Sequence, residues 1–206
     1  MELFQLLSKQ IQKHTWPDDK TVYTTIGSDV LSSLQNSDLS RLMPCSQEEA
    51  DSRLLLHAND AAMNGYTRVM LRVTATDVLV IAVAHFFQLH SAELLLASGS
   101  VSNYRYIAVH EIAHALMPRR SNALLGFHAL TGYDISSSFH CRSNNSAYNI
   151  WNIIDDVTEA FEEMASSSGQ MTAQSESTIE RFVIIMYDKT MNSMMSTMSN
   201  KSTSQM

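Results

Sequence analysis

The sequence predicts an α/β fold built on a mainly parallel central sheet. Three observations carry this. Apolar runs at 68–74, 92–97 and 104–109 have strand length, and helical stretches separate them, the order expected of βαβ units. Residues 2–13 place Leu3, Leu6, Leu7 and Ile11 on one side of a helix. The chain has 206 residues, 45% hydrophobic and 17% charged. A chain of that size buries roughly 70% of its unfolded surface, which suits one domain with a substantial core.

The elements follow in order. After the 2–13 helix, Pro17-Asp18-Asp19 forms a turn and the β-branched run 21–26 a strand. A polar loop spans 28–45. Ser46-Gln47-Glu48-Glu49 matches a capping box, opening a helix with Ala50, Leu54, Ala58 and Ala61 on its apolar side, and Asn64-Gly65 matches the stop. A strand at 68–74, a helix at 77–89 and strands at 92–97 and 104–109 come next. A short helix over 110–117 ends at Pro118, since proline cannot continue a helix begun before it. Helices are expected at 121–130 and 146–164, and 179–188 fits a helix or a strand. From Thr190 the chain is Met, Ser, Thr, Asn and Lys without apolar period, a composition that predicts a disordered tail. The expected organisation is one domain over 1–189 and a tail over 190–206.

Charge narrows the function. A formal net charge of -7 argues against a protein that coats nucleic acid, which would carry a basic excess. It does not exclude an enzyme that holds cations with carboxylates and touches phosphate through a few local arginines. The two cysteines, Cys45 and Cys141, are too few for a disulfide scaffold, so a reducing compartment is expected. Met1-Glu2-Leu3-Phe4 lacks a basic leader, and the apolar stretch 78–84 falls far short of the ~20 residues of a bilayer span. The expectation is therefore an intracellular protein, nuclear or cytoplasmic, without membrane contact.

Two constellations compete for the chemistry. His110-Glu111-Ile112-Ala113-His114 matches H-E-x-x-H, in which two histidines one helical turn apart bind Zn²⁺ and the glutamate activates its water. Pro118 leaves that helix about two turns, and the third histidine of the extended motif is absent. A third ligand could be His128, Asp134 or His140. The other constellation is carboxylate. Glu48, Glu49 and Asp51 open one helix, Asp77 follows the 68–74 strand where open α/β sheets bind ligands, and Asp134 follows Thr131-Gly132-Tyr133. Converging carboxylates bind Mg²⁺ or Mn²⁺, and two such ions drive phosphodiester hydrolysis. Glu49 and Asp51 diverge on an ideal helix, so they converge only if the helix begins around them. Each acid could instead cap the helix beside it.

The segments Glu-Glu-Ala-Asp-Ser-Arg-Leu-Leu-Leu-His-Ala (48–58), Thr-Ala-Thr-Asp-Val-Leu-Val-Ile-Ala-Val-Ala (74–84) and Gly-Phe-His-Ala-Leu-Thr-Gly-Tyr-Asp-Ile-Ser-Ser-Ser-Phe (126–139) resemble a mobile-element-associated animal protein family. That family in turn resembles the PIN-like nucleases of flap-endonuclease type. The resemblance implies a PIN-like layered domain with a helical arch or hairpin beyond Ser121, its N-terminal part missing. It implies Glu49, Asp51, Asp77 and Asp134 as catalytic and metal-binding residues for Mg²⁺ or Mn²⁺, with nucleic acid as partner. Three departures matter. Residue 75 is Ala where the family's Asp-x-Asp pair expects a ligand. The stretch 140–145 has one arginine and no glycine where relatives carry a Gly- and Lys-rich turn. The Cys-rich C-terminal extension of relatives is replaced by the polar tail. Arg119, Arg120 and Arg142 are the basic residues that could meet phosphate, or equally could be solvated surface charges. The implied function is a degenerate nuclease-like domain, weak or inactive, with a zinc peptidase through His110 and His114 or a non-catalytic interaction module as alternatives.

Overall fold

A computed structural model describes residues 2–17, 19–44, 50–73, 75, 77–100, 103–132, 143–166 and 170–188. Among these residues lie seven α-helices and five strands, so the fold is mixed α/β. They group into two compact units, one from Met1–Thr74 with Leu89–Ile107, the other from Ala75–Gln88 with Ala108–Met206. The expected tail from 190 and the capping box at 46–49 lie outside the described residues.

In the first unit, α1 (Glu2–Lys13) lies against a hairpin of β1 (Tyr23–Ile26) and β2 (Asp29–Ser32). The apolar stripe of α1 faces solvent, from Ile11 at 38% exposed to Leu3 at 68%. Its polar side is the one that packs. Ser8 is buried and donates to the Thr25 carbonyl, and Gln12 Nε2 donates to Thr24 Oγ1 at 2.9 Å and to the Leu31 carbonyl at 3.3 Å. A two-stranded ribbon carries carbonyls that need donors, and here the helix supplies them. Strand β2 falls where the sequence reads as loop. The two-residue connection Gly27-Ser28, with Gly27 at φ 58°, is the positive-φ turn that closes short hairpins.

Helix α2 (Ala50–Met63) buries Leu55, Ala58 and Ala62 and ends as its sequence foretells. Gly65 takes φ 93°, its N–H bonds the Ala62 carbonyl at 3.0 Å and the Tyr66 N–H bonds Ala61 at 3.1 Å, the paired closure of a Schellman end. His57 on α2 is held below its ordinary pKa by burial first and then by the Arg53 charge, with Asp60 opposing. As pH falls through ~6.5 the unfolded chain therefore takes up this proton before the folded one, so stability present above that pH is lost below it. Urea midpoints should fall between about pH 7.5 and about pH 5.5, and His57→Gln should flatten the decline.

Strands β3 (Arg68–Val73) and β4 (Glu93–Ser100) pair in parallel, from Arg68 opposite Glu93 to Val73 opposite Ser98, with β5 (Asn103–Ala108) on the other side of β4. Leu71, Val73, Leu94 and Leu96 are buried. The strands fall where expected, but the sheet is small and mixed rather than mainly parallel. Two residues separate β4 from β5, and a parallel connection needs a crossover of a dozen or so.

The second unit is helical. It holds α3 (Asp77–His85) with the one-turn 3-10 helix Phe86–Gln88, α4 (Val109–Thr131), α5 (Asn144–Ile153), α6 (Val157–Ala165) and α7 (Ala173–Tyr187). Within α4, Met117 leaves helical geometry at φ 65°, ψ 158°, so the break expected at Pro118 is a kink. Proline tolerates the first turn of the segment after the kink, where its missing N–H is no loss. Ser121 Oγ spans the kink to the Ala113 carbonyl.

The helix expected over 146–164 is two, α5 and α6, parted at Ile154-Asp155-Asp156 without Gly or Pro. The break lets Ile150 and Trp151 on one helix and Val157 and Phe161 on the other enter one core, with Phe127, Phe182 and Met186. The undecided segment 179–188 lies mostly in α7. No described helix is long and apolar enough to cross a membrane.

Candidate functional site

Asp77 begins α3 four residues after the last residue of β3. Its side chain is only 9% exposed, and His128, on the second segment of α4, donates Nε2–H to its Oδ1 at 3.0 Å. Packing of α3 on α4 inside the second unit makes this pair. Burial of a carboxylate is costly unless a polar partner compensates, and the imidazole is that partner. Chemically, the pair can orient an imidazole, as carboxylates do for catalytic or metal-binding histidines, or it can hold a carboxylate ready for a cation.

Asp51 lies in the first turn of α2, half-buried and in the first unit. Glu49, Asp134 and Arg142 lie outside the described residues, as do Glu48 and His140. Among the described residues no three His, Cys, Asp or Glu side chains gather closely enough to hold a metal ion.

The histidines of the H-E-x-x-H motif sit on the first segment of α4, before the kink. Phe86 lies against both rings, 6.4 Å from His110 and 5.5 Å from His114, and Phe87 lies 5.4 Å from His114. Glu111 and His114 are exposed and His110 is half-buried. One of the three candidate third ligands, His128, is engaged by Asp77 instead.

The arginines expected to meet phosphate have partners of their own. Arg119 Nε donates to Glu162 at 3.2 Å, with Glu159 at 3.8 Å. Arg120 lies over the Trp151 ring and donates to the Trp151 carbonyl, Asn152 and Asp155, closing the C-terminal end of α5, whose last carbonyls lack helical donors. Arg119 and Arg181 line a cleft of about 520 Å³ together with Asp155, Asp156, Glu159 and Glu163. Glu163 is held below the ordinary carboxylate range by the Thr172 N–H, then by the Ser175 and Thr172 hydroxyls. Four carboxylates against two guanidiniums make this cleft unsuited to a polyanion.

The Asp77–His128 pair was not readable in advance. Both residues stood out in the sequence, Asp77 as a carboxylate and His128 as a possible zinc ligand, but no local pattern ties positions 51 apart. No family model, curated protein or solved structure matches the chain.

Proposed function

We propose that this chain is a degenerate PIN-like, flap-endonuclease-type domain whose ancestral chemistry was Mg²⁺- or Mn²⁺-dependent phosphodiester hydrolysis through Glu49, Asp51, Asp77 and Asp134. The observation that carries this reading is Asp77, a carboxylate kept under cover at the head of α3. A solvated helix cap needs no such burial. Residue 75 is Ala, so one ligand of the expected pair is gone, and His128 takes an acceptor position on Asp77 that a cation would need. Both features weaken metal affinity, and the domain is therefore a poor nuclease or none.

Calorimetric titration with Mn²⁺ tests this. Weak saturable binding is expected, abolished by Asp77→Asn and by Asp134→Asn and tightened by His128→Ala, which frees Oδ1. Cleavage of flapped or linear oligonucleotides should be slow or undetectable under the same conditions. Absence of Mn²⁺ binding in both the parent protein and His128→Ala overturns the metal-nuclease reading and leaves a non-catalytic module. A second reading, a zinc site at His110 and His114 with Glu111 as base, is favoured by the two imidazoles lying one turn apart against Phe86. Stoichiometric zinc lost on His114→Ala would establish it in place of the first.

A further inference from the structure

The sheet of the first unit has one buried face and one open face. The register sets Arg68 beside Glu93, Met70 beside Leu95 and Arg72 beside Ala97 on the open side, with Leu71, Val73, Leu94 and Leu96 turned inward. Ala97 is small enough for the Arg72 guanidinium to pass over it to β5. There Nη2 donates to the Tyr104 hydroxyl, and Cζ lies 5.1 Å from the centre of the Tyr104 ring. Tyr106, two residues further along β5 and so on the same face, is 66% exposed, and Met70 is 59% exposed. The one carboxylate on these three strands, Glu93, is bound at 2.7 Å by Arg68. The open face of β3 to β5 thus carries Arg68 and Arg72 against a single acid, in a chain whose net charge is -7, while Arg105, between Tyr104 and Tyr106, belongs to the other face.

We propose that this face binds single-stranded nucleic acid. An exposed tyrosine ring and a flat, braced guanidinium on one face offer two stacking surfaces for bases, and Arg68 and Arg72 meet phosphate there. The local positive balance selects a polyanion that the acidic remainder of the protein repels. Stacking on Tyr106 needs an unpaired base, so a single strand fits and a duplex does not. Double-helical backbone offers only phosphates, for which the face carries too few cations to hold the duplex tightly. The surface lies in the first unit and Asp77 in the second, so this inference does not depend on metal binding.

Fluorescence anisotropy of a labelled oligothymidylate of about twelve nucleotides, in chelator, tests it. Binding that weakens with salt is expected. Tyr106→Ala should weaken it about tenfold and Tyr106→Phe should leave it nearly unchanged, because stacking needs the ring and not the hydroxyl. Arg72→Ala should weaken binding and lower the salt dependence by about one released ion. Both side chains are on the surface, and unchanged urea midpoints will show that the variants fold. Four results overturn the proposal: no binding, equal binding of duplex and single strand, indifference to both Tyr106→Ala and Arg72→Ala, or self-association of the protein through Tyr106 without oligonucleotide binding.

Discussion

Replacing Trp151 with alanine will lower the unfolding free energy of the second unit by about 3–5 kcal/mol, the range for removing a large aromatic from a close-packed core. Trp151 is fully buried at the centre of the helical cluster. Its ring stacks on Phe127 at 5.0 Å and meets Phe161 edge-on at 5.2 Å. The indole N–H donates to Thr158 Oγ1 at 2.9 Å, and Thr158 is itself buried. The change therefore opens a cavity, strips the edge contacts and leaves the Thr158 oxygen without its donor. Domains of this kind are stable by only ~5–15 kcal/mol, so the loss is a large fraction of the whole. Urea unfolding followed by circular dichroism measures it. The protein has two tryptophans, and Trp16 lies in the first unit, so residual fluorescence of Trp151→Ala reports that unit separately. Trp151→Phe keeps most of the burial and should cost less. A loss below ~1 kcal/mol for the alanine variant would mean that α4, α5, α6 and α7 do not share this core.

What was legible in the sequence is what local pattern decides. The span of α1, the Gly65 stop of α2, the strand β3 and the kink at Pro118 all follow from spacing and from residues with fixed backbone demands. The orientation of α1 does not. Its leucines form a stripe that reads as core-facing, yet Ser8 and Gln12 are what pack, because the carbonyls of the hairpin need donors and only the tertiary structure brings the two together. The break between α5 and α6 is equally silent, having no Gly or Pro to mark it. Trp151 and Phe161 enter one core only if the chain turns between them. The same distinction divides the candidate sites. The H-E-x-x-H spacing is local and can be read directly, whereas the Asp77–His128 pair is made by α3 packing on α4. Arg120 reads as a free cation and is in fact a cap, because the carbonyl it serves belongs to another helix.

Gly126→Ala should destabilise the second unit by about 2 kcal/mol, the middle of the range for overpacking a core, even though the exchange favours helix formation. An interior helical glycine replaced by alanine gains about 1 kcal/mol from backbone propensity alone. Against that gain stands the approach of α6. A Cβ at Gly126 would lie 2.2 Å from the Phe161 carbonyl oxygen and 2.9 Å from its carbonyl carbon, both main-chain atoms that cannot rotate aside. Phe161 is fully buried against Trp151 and Phe182, so relief requires α6 to move as a body and the aromatic cluster to open with it. Gly65→Ala is the control. Gly65 has open space around it but a φ of 93°, so its cost is backbone strain of ~1–2 kcal/mol with no packing component. The two substitutions separate by a third observable. Displacement of α4 at residue 126 disturbs His128, two residues on, so on the proposed metal reading Gly126→Ala should alter the Mn²⁺ titration while Gly65→Ala leaves it unchanged. If Gly126→Ala proves neutral or stabilising in urea, propensity has won, and α4 and α6 do not approach as closely as Gly126 permits.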